Sequence, residues 1–289
     1  MPDKLKRVFR RISSKSLRTV DRMFTASQRV VFIHIPKCAG KSVAAAIHNA
    51  MGSLLEPWIN SRHARLAVNS VLPDKVTSEK VEATARYRNY LLAYFLHSGR
   101  KLIYGHLPVN RQLVTEFSQE AAFVTVLRDP VARWKSHYIY DRISNPDPSM
   151  LPYRRNSGCD LEKELDAVLA SDRGLQLAYV PTMMLTGRFP VSRSEAETLS
   201  RVIMETLKDF AVVGFTDDLP SFASSFERAT GVKIHIPRKN ITASQATDEN
   251  GALYKNLSAL LDQPAVTRKI KKLCEVERKT FQILEKIYR

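Results

Sequence analysis

The sequence predicts an α/β fold in three layers, α/β/α, with a mostly parallel central sheet and a P-loop-like anion loop after the first strand. Three observations carry this. Four short β-rich apolar runs, at 30–35 (VVFIHI), 101–105 (KLIYG), 122–127 (AFVTVL) and 210–214 (FAVVG), read as buried strands. Stretches of helical periodicity separate them, as in a parallel sheet covered by helices on both faces. The first run then opens into HIPKCAGKSV, residues 34–43, where a glycine and two lysines precede a helix start.

Taken in order, strand 30–35 and helix 41–51 enclose that loop. Backbone N–H groups and the positive end of a helix make such a turn an anion cradle. Gly40-Lys41-Ser42 matches the second half of the nucleoside-triphosphate loop, but the position of that motif's first glycine is Ile35. The anion loop is therefore of another kind. Lys37 is placed to fold its ammonium over the loop, and the N–H groups of Ala39 to Val43 with the Ser42 hydroxyl offer donors. The bland alternative is a βα turn with a capping serine. A helix over 78–97 and strand 101–105 lead to Gly105-His106.

Strand 122–127 ends in Arg128-Asp129-Pro130, with proline in the first turn of a helix over 131–143. Arg128, as a planar fork, and Ser136, as a single donor, suit one phosphate. An Asp N-cap beside surface arginines is the alternative. A magnesium-binding Asp129 is a poorer one, since Arg128 directly precedes it. The Pro-rich stretch Asn145–Pro152, followed by Arg154 and Arg155, reads as a surface loop and basic lip. Helices are expected over 160–170, 193–208, 217–230 and 264–288, with strand 210–214 among them. Glu79-Lys80-Val81-Glu82 reads as helix surface.

With 289 residues, 44% of them hydrophobic, residues 29–289 are expected to form one large domain. Cys38, Cys159 and Cys274 are few and far apart, which gives no disulfide framework or zinc site and favours a reducing compartment. A formal charge of +16 calls for anionic partners: nucleic acid, acidic glycan, phosphorylated cofactor or lipid headgroup. No apolar run approaches the ~20 residues that cross a bilayer. Residues 1–29 carry nine Lys/Arg against Asp3 and Asp21, with Leu5, Val8, Phe9, Ile12, Leu17, Val20 and Phe24 at helical spacing. Residues 1–28 thus read either as a basic amphipathic helix for an anionic membrane surface or as a solvated leader.

The pair of motifs, PKxxGxS from Pro36 to Ser42 and RDPxxRxxSxY from Arg128 to Tyr138, resembles the sulfotransferases that use 3′-phosphoadenosine-5′-phosphosulfate (PAPS). The carbohydrate O-sulfotransferase branch that includes the heparan sulfate 2-O-sulfotransferases is the most similar. Tyr104-Gly105-His106-Leu107-Pro108 resembles the family's GHxP segment, and 210–231 and 237–242 resemble weaker later segments, so the likeness spans roughly residues 29–260. It implies that Lys37, Cys38, Ala39, Gly40, Lys41, Ser42 and Val43 form a P-loop-like phosphosulfate loop. It further implies that Arg128 and Ser136 hold the 3′-phosphate, and that His106 is the base. Cys38 and Lys41 stand where the family has threonines, so the loop loses two hydroxyls and gains a charge.

Sulfuryl transfer needs a hydroxyl attacking in line, a base for its proton and positive charge at the departing oxygen. His106 has a suitable ordinary pKa, about 6.5, and Lys37 would neutralise the bridging oxygen. His34 reads as packed, and Cys38 as a small loop residue. Lys135, Arg142, Arg154 and Arg155 would line an acidic-substrate groove, with Trp134 or Tyr138 stacking on a sugar; each equally suits a solvated face. The expectation is a cytoplasmic enzyme, peripheral to the inner membrane, that sulfates a polysaccharide, oligosaccharide or glycolipid with PAPS as co-substrate. Neither a metal nor a nucleic-acid partner is expected. Two alternatives stay open: a magnesium-dependent kinase using Gly40-Lys41-Ser42, and a non-enzymatic basic binder of acidic glycan or nucleic acid, with salt-sensitive affinity and no need of His106.

Overall fold

Five parallel strands form the sheet of the computed structural model, which describes residues 29–51, 58–59, 61–73, 77–143, 160–237 and 248–289. They are β1 (Arg29–Ile33), β2 (Trp58–Ile59), β3 (Leu102–Gly105), β4 (Ala121–Leu127) and β5 (Val212–Phe215), in the order β2-β3-β1-β4-β5. Residues 1–28, Asn145–Pro152, Arg154, Arg155, Cys159 and 238–242 lie outside the described residues, so the readings made on them are neither met nor refuted.

Alternation within the strands supplies two cores. Val31, Ile33, Ile103, Phe123 and Phe215 pack on one face, against helices α3 (Thr77–His97), α4 (Arg111–Phe117), α8 (Val180–Thr186), α9 (Arg193–Leu207) and α13 (Glu275–Tyr288). Val30, Phe32, Leu102, Val124 and Val212 pack on the other, against α1 (Gly40–Met51) and α10 (Leu219–Thr230). Because helices cover both faces, every position of β4 and β5 is buried, and all but Thr125 and Gly214 carry apolar side chains.

A third core lies beside the sheet, among α5 (Pro130–Ile143), α6 (Leu161–Leu169), α7 (Asp172–Ala178), α11 (Asp248–Asp262) and α12 (Pro264–Leu273). Trp134 and Tyr138 of α5 are its centre, both 0% exposed. Side-chain caps start several helices: Asn110 accepts from Leu113 N at 2.8 Å, and Ser192 Oγ from Glu195 N at 3.1 Å.

The expected strands and most expected helices are present, with ends moved by a few residues. Helix 264–288 is a correction: it is two helices, α12 and α13, turning at Cys274. That residue is fully buried, its thiol towards the Pro130 carbonyl, so contact with α5 rather than a local breaker sets the bend. Strand β2 and the helices α2 (Ser61–Val71), α4, α7, α8 and α11 were not anticipated.

Candidate active site

Parallel register brings three segments to one edge. Ile33, the last residue of β1, pairs with Gly105 on one side and Thr125 on the other. The chain therefore leaves β1, β3 and β4 side by side at their carboxyl ends, where open α/β sheets hold ligands. Thr125 Oγ1 donates to the Ile33 carbonyl at 2.9 Å and fixes that corner.

The loop after β1 is bent in a way its residues do not advertise. Lys37 has φ +67° and Ala39 φ +55°, while Cys38 between them keeps a negative φ. Left-handed backbone costs a residue with a Cβ about 1–2 kcal/mol, and alternating φ turns successive N–H groups to one side as an anion nest. Among the described residues, the N–H groups of Ala39, Gly40 and Lys41 meet no acceptor. Those of Ser42 and Val43 do, bonding the Ala39 carbonyl at 3.0 and 3.2 Å. The donors expected from Ala39 to Val43 are thus three, at 39–41. Val43 is 0% exposed and packs in the core beneath the loop, and Ser42 is nearly buried.

Gly40 is required by a neighbour. A Cβ there would lie 1.7 Å from His34 Cδ2, because the His34 ring covers the helix start. That ring stacks on His106 at 4.2 Å between centroids, so His34 is packed as expected, with His106 as its neighbour. Cys38 is buried with its thiol towards the Pro36 carbonyl, and burial pushes that thiol up to about 11. It is no nucleophile at neutral pH.

Three cations gather here. The Lys37 ammonium lies over the Tyr140 ring, 4.4 Å from its centroid. Burial, then Arg128 and Lys41, push its pKa down to about 8, and Asp141 opposes them. Arg128 Nη1 donates to the Lys37 carbonyl at 3.1 Å, tying the end of β4 to the loop. Asp129 is an N-cap, its Oδ1 accepting from Ala132 N at 2.8 Å. The Ser136 hydroxyl has no hydrogen-bond partner among the described residues although the residue is nearly buried. Arg133 is a brace: fully buried, it donates through Nη2 to the carbonyls of Leu177 and Ala178 and pins α5 to α7.

His106 stands across from this loop in a fixed tautomer. Its Nδ1 lies 2.9 Å from the His34 carbonyl, which can only accept, so Nδ1 carries the hydrogen and Nε2 keeps a lone pair. Burial pushes its pKa to about 4; the hydrogen bond to His34 opposes that, and Arg88 and Lys41 add to it. The ring is therefore neutral at pH 7. Arg88 Nη1 holds the His106 carbonyl at 2.9 Å, and Asn89 Nδ2 holds that of Pro108 at 2.9 Å. Gly105, with φ +147°, answers to β2 rather than to a ligand, since a Cβ would stand 3.0 Å from the Ile59 carbonyl.

The expected acceptor residues on α5 are not at a surface groove. Trp134 donates through Nε1 to the Gly174 carbonyl at 3.1 Å, and Tyr138 donates to Glu164 at 3.2 Å. Arg142 is paired with Glu164 at 3.0 Å, and Lys135 with Asp262 at 2.9 Å. Trp134, Tyr138 and Arg142 are buried because α6 and α7 close over α5, while Lys135 makes a partly exposed ion pair with α11. Sequence reasoning missed Arg88, Tyr140 and Asp141, which sit in helix interiors with no local motif to mark them. No protein-family model matches the chain, and no curated protein is significantly similar to it.

Proposed function

We propose that the chain transfers a sulfuryl group from PAPS to a hydroxyl of a carbohydrate or glycolipid. One observation carries the reading: a neutral histidine of fixed tautomer shares a sheet edge with a nest of three unbonded N–H groups and three cations. The residues fit the nucleotide. Lys37 and the N–H groups of Ala39, Gly40 and Lys41 would hold the 5′-phosphosulfate, in a P-loop-like loop without its first glycine. Arg128, through its remaining nitrogens, and the unengaged Ser136 hydroxyl would hold the 3′-phosphate.

The nucleotide supplies the sulfuryl group and a phosphate leaving group. His106 Nε2 takes the proton of the attacking hydroxyl, Nδ1 remaining bonded to His34. Lys37, protonated below about pH 8, places charge where the leaving oxygen develops its own. The triphosphate reading has no comparable support, since its glycine position is Ile35, 1% exposed in the core. No described helix is long and apolar enough to cross a membrane. We place the activity in the cytoplasm, with residues 1–28 as the segment that would meet an anionic membrane.

Thermal unfolding with 3′-phosphoadenosine-5′-phosphate, with ADP and with magnesium-ATP tests this. A ligand at 100 times its Kd stabilises by about 2.7 kcal/mol, several degrees for a chain of this size. The expected result is a shift with the 3′-phosphorylated nucleotide alone, without magnesium. A shift confined to magnesium-ATP would overturn the reading in favour of a kinase.

A further inference from the structure

We infer that His34 is a positioning residue, its ring the wedge through which the anion loop at Gly40 sets the plane of the His106 imidazole. The inference rests on the sulfotransferase reading for what His106 does, and on geometry for what holds it. His34 directly follows β1, where its N–H donates to the Gly105 carbonyl at 3.0 Å. Its own carbonyl accepts from His106 Nδ1 at 2.9 Å. Its ring stacks on that of His106, with 4.2 Å between centroids and 30° between planes. The same ring runs nearly parallel to that of Phe32, 7° apart at 5.9 Å. Its edge meets Gly40, where a Cβ would overlap both Cδ2 and Nε2. One side chain thus touches the imidazole and the first residue of α1, whose N–H belongs to the anion nest.

The need for a second hold follows from the first. A hydrogen bond at Nδ1 fixes the tautomer and the distance, but it leaves the imidazole free to turn about the N–H···O axis. That turn would redirect the Nε2 lone pair. A ring lying against the imidazole face stops it. The charges around the pair suit a neutral wedge. Arg88 from α3 and Lys41 from α1 act on His106, and His106 in turn acts on His137 of α5. Burial, then His106, Lys41 and Lys37, hold the His34 pKa well below its ordinary value, so the ring is uncharged at pH 7. Close-packed groups shift together rather than compress. A displacement of the helix start at Gly40 therefore presses on the His34 ring, and the ring on His106.

NMR of protein carrying isotope-labelled histidine tests this, with His106→Ala to assign the signals. In ligand-free wild type, His106 should show the Nδ1–H tautomer and a titration midpoint near 4. His34→Ala opens the imidazole face to water, and the midpoint should rise above about 5, towards the ordinary value of about 6.5. Gly40→Ala drives a methyl group into the ring and should displace the His106 resonances. The double variant should match His34→Ala alone, because the ring that carries the push is gone. A midpoint still near 4 in His34→Ala, unmoved His106 resonances in Gly40→Ala, or the same displacement with and without the ring overturns the wedge. If Gly40→Ala is too unstable to record, urea unfolding of the double variant reads the same contact. Stability above that of Gly40→Ala supports the wedge, and none gained overturns it. Wild type that fails to bind 3′-phosphoadenosine-5′-phosphate in calorimetry overturns the sulfotransferase reading instead, and the His106 spectra still decide the role of His34.

Discussion

At the scale of the residue, burial shifts the two titrating groups of the proposed site, holding His106 neutral at pH 7 and lowering Lys37 to about 8. His106 is kept neutral chiefly by burial and ready at Nε2 by a backbone carbonyl, whereas an exposed histidine would be partly protonated near neutral pH. Both pH limits follow with their signs. In the proposed reaction His106 acts unprotonated and Lys37 protonated, so kcat/KM should fall as pH drops through about 4 and as pH rises through about 8. His106→Ala should lower turnover by ~10²–10⁴, remove the acid limb and leave nucleotide affinity within about twofold. Retained turnover, or an acid limb still present in the variant, would exclude His106 as the base. The place of this histidine at the end of β3 was legible from Tyr104-Gly105-His106-Leu107-Pro108, but its tautomer was not, because the acceptor that sets it is 72 residues away in the chain. The left-handed turns at Lys37 and Ala39 were equally hidden, since neither residue type favours them.

At the scale of the element, the strands were legible because burial on both faces writes itself into the sequence as continuous apolar runs. Helix α5 was legible as a helix and misleading as a surface. Its aromatic and basic residues suit a glycan groove, and only the packing of α6, α7 and α11 over it decides otherwise. Arg142 and Glu164 are the sharpest case, at 4% and 0% side-chain exposure and 3.0 Å apart. Removing one partner of a buried pair strands the other, at a cost of about 3–5 kcal/mol. Arg142→Ala should therefore lose that much in urea unfolding while the folded enzyme keeps its acceptor KM. The loss should shrink at mildly acidic pH. Burial already raises the Glu164 pKa, and without Arg142 the carboxyl protonates more readily and sheds its unpaired charge. Replacing both residues by apolar ones of similar volume should recover most of the stability, as expected for a pair that braces the fold and binds nothing. A raised acceptor KM with unchanged stability would return Arg142 to the substrate.

At the scale of the whole molecule, the formal charge of +16 is distributed unevenly in its effect. Most acids named in ion pairs sit on the flanking helices, where they neutralise neighbours: Glu275 with Arg193 and Lys279, Glu285 with Arg289, Asp166 with Lys269. Among the described residues, Arg88 and Lys41 act on His106, Arg128 and Lys41 act on Lys37, and Asp141, which opposes them at Lys37, is bonded to Arg173. A cleft with charge of one sign attracts oppositely charged ligands from a distance, and salt screens that attraction over about 10 Å at 0.1 M. With the nucleotide saturating, so that its own charge drops out, kcat/KM for a polyanionic polysaccharide should fall about tenfold between roughly 0.02 and 0.2 M salt. A neutral oligosaccharide should show almost no change over the same range. Equal slopes for the two acceptors would mean that the excess charge serves the nucleotide alone, and the acceptor would then have to be chosen by shape and hydrogen bonds.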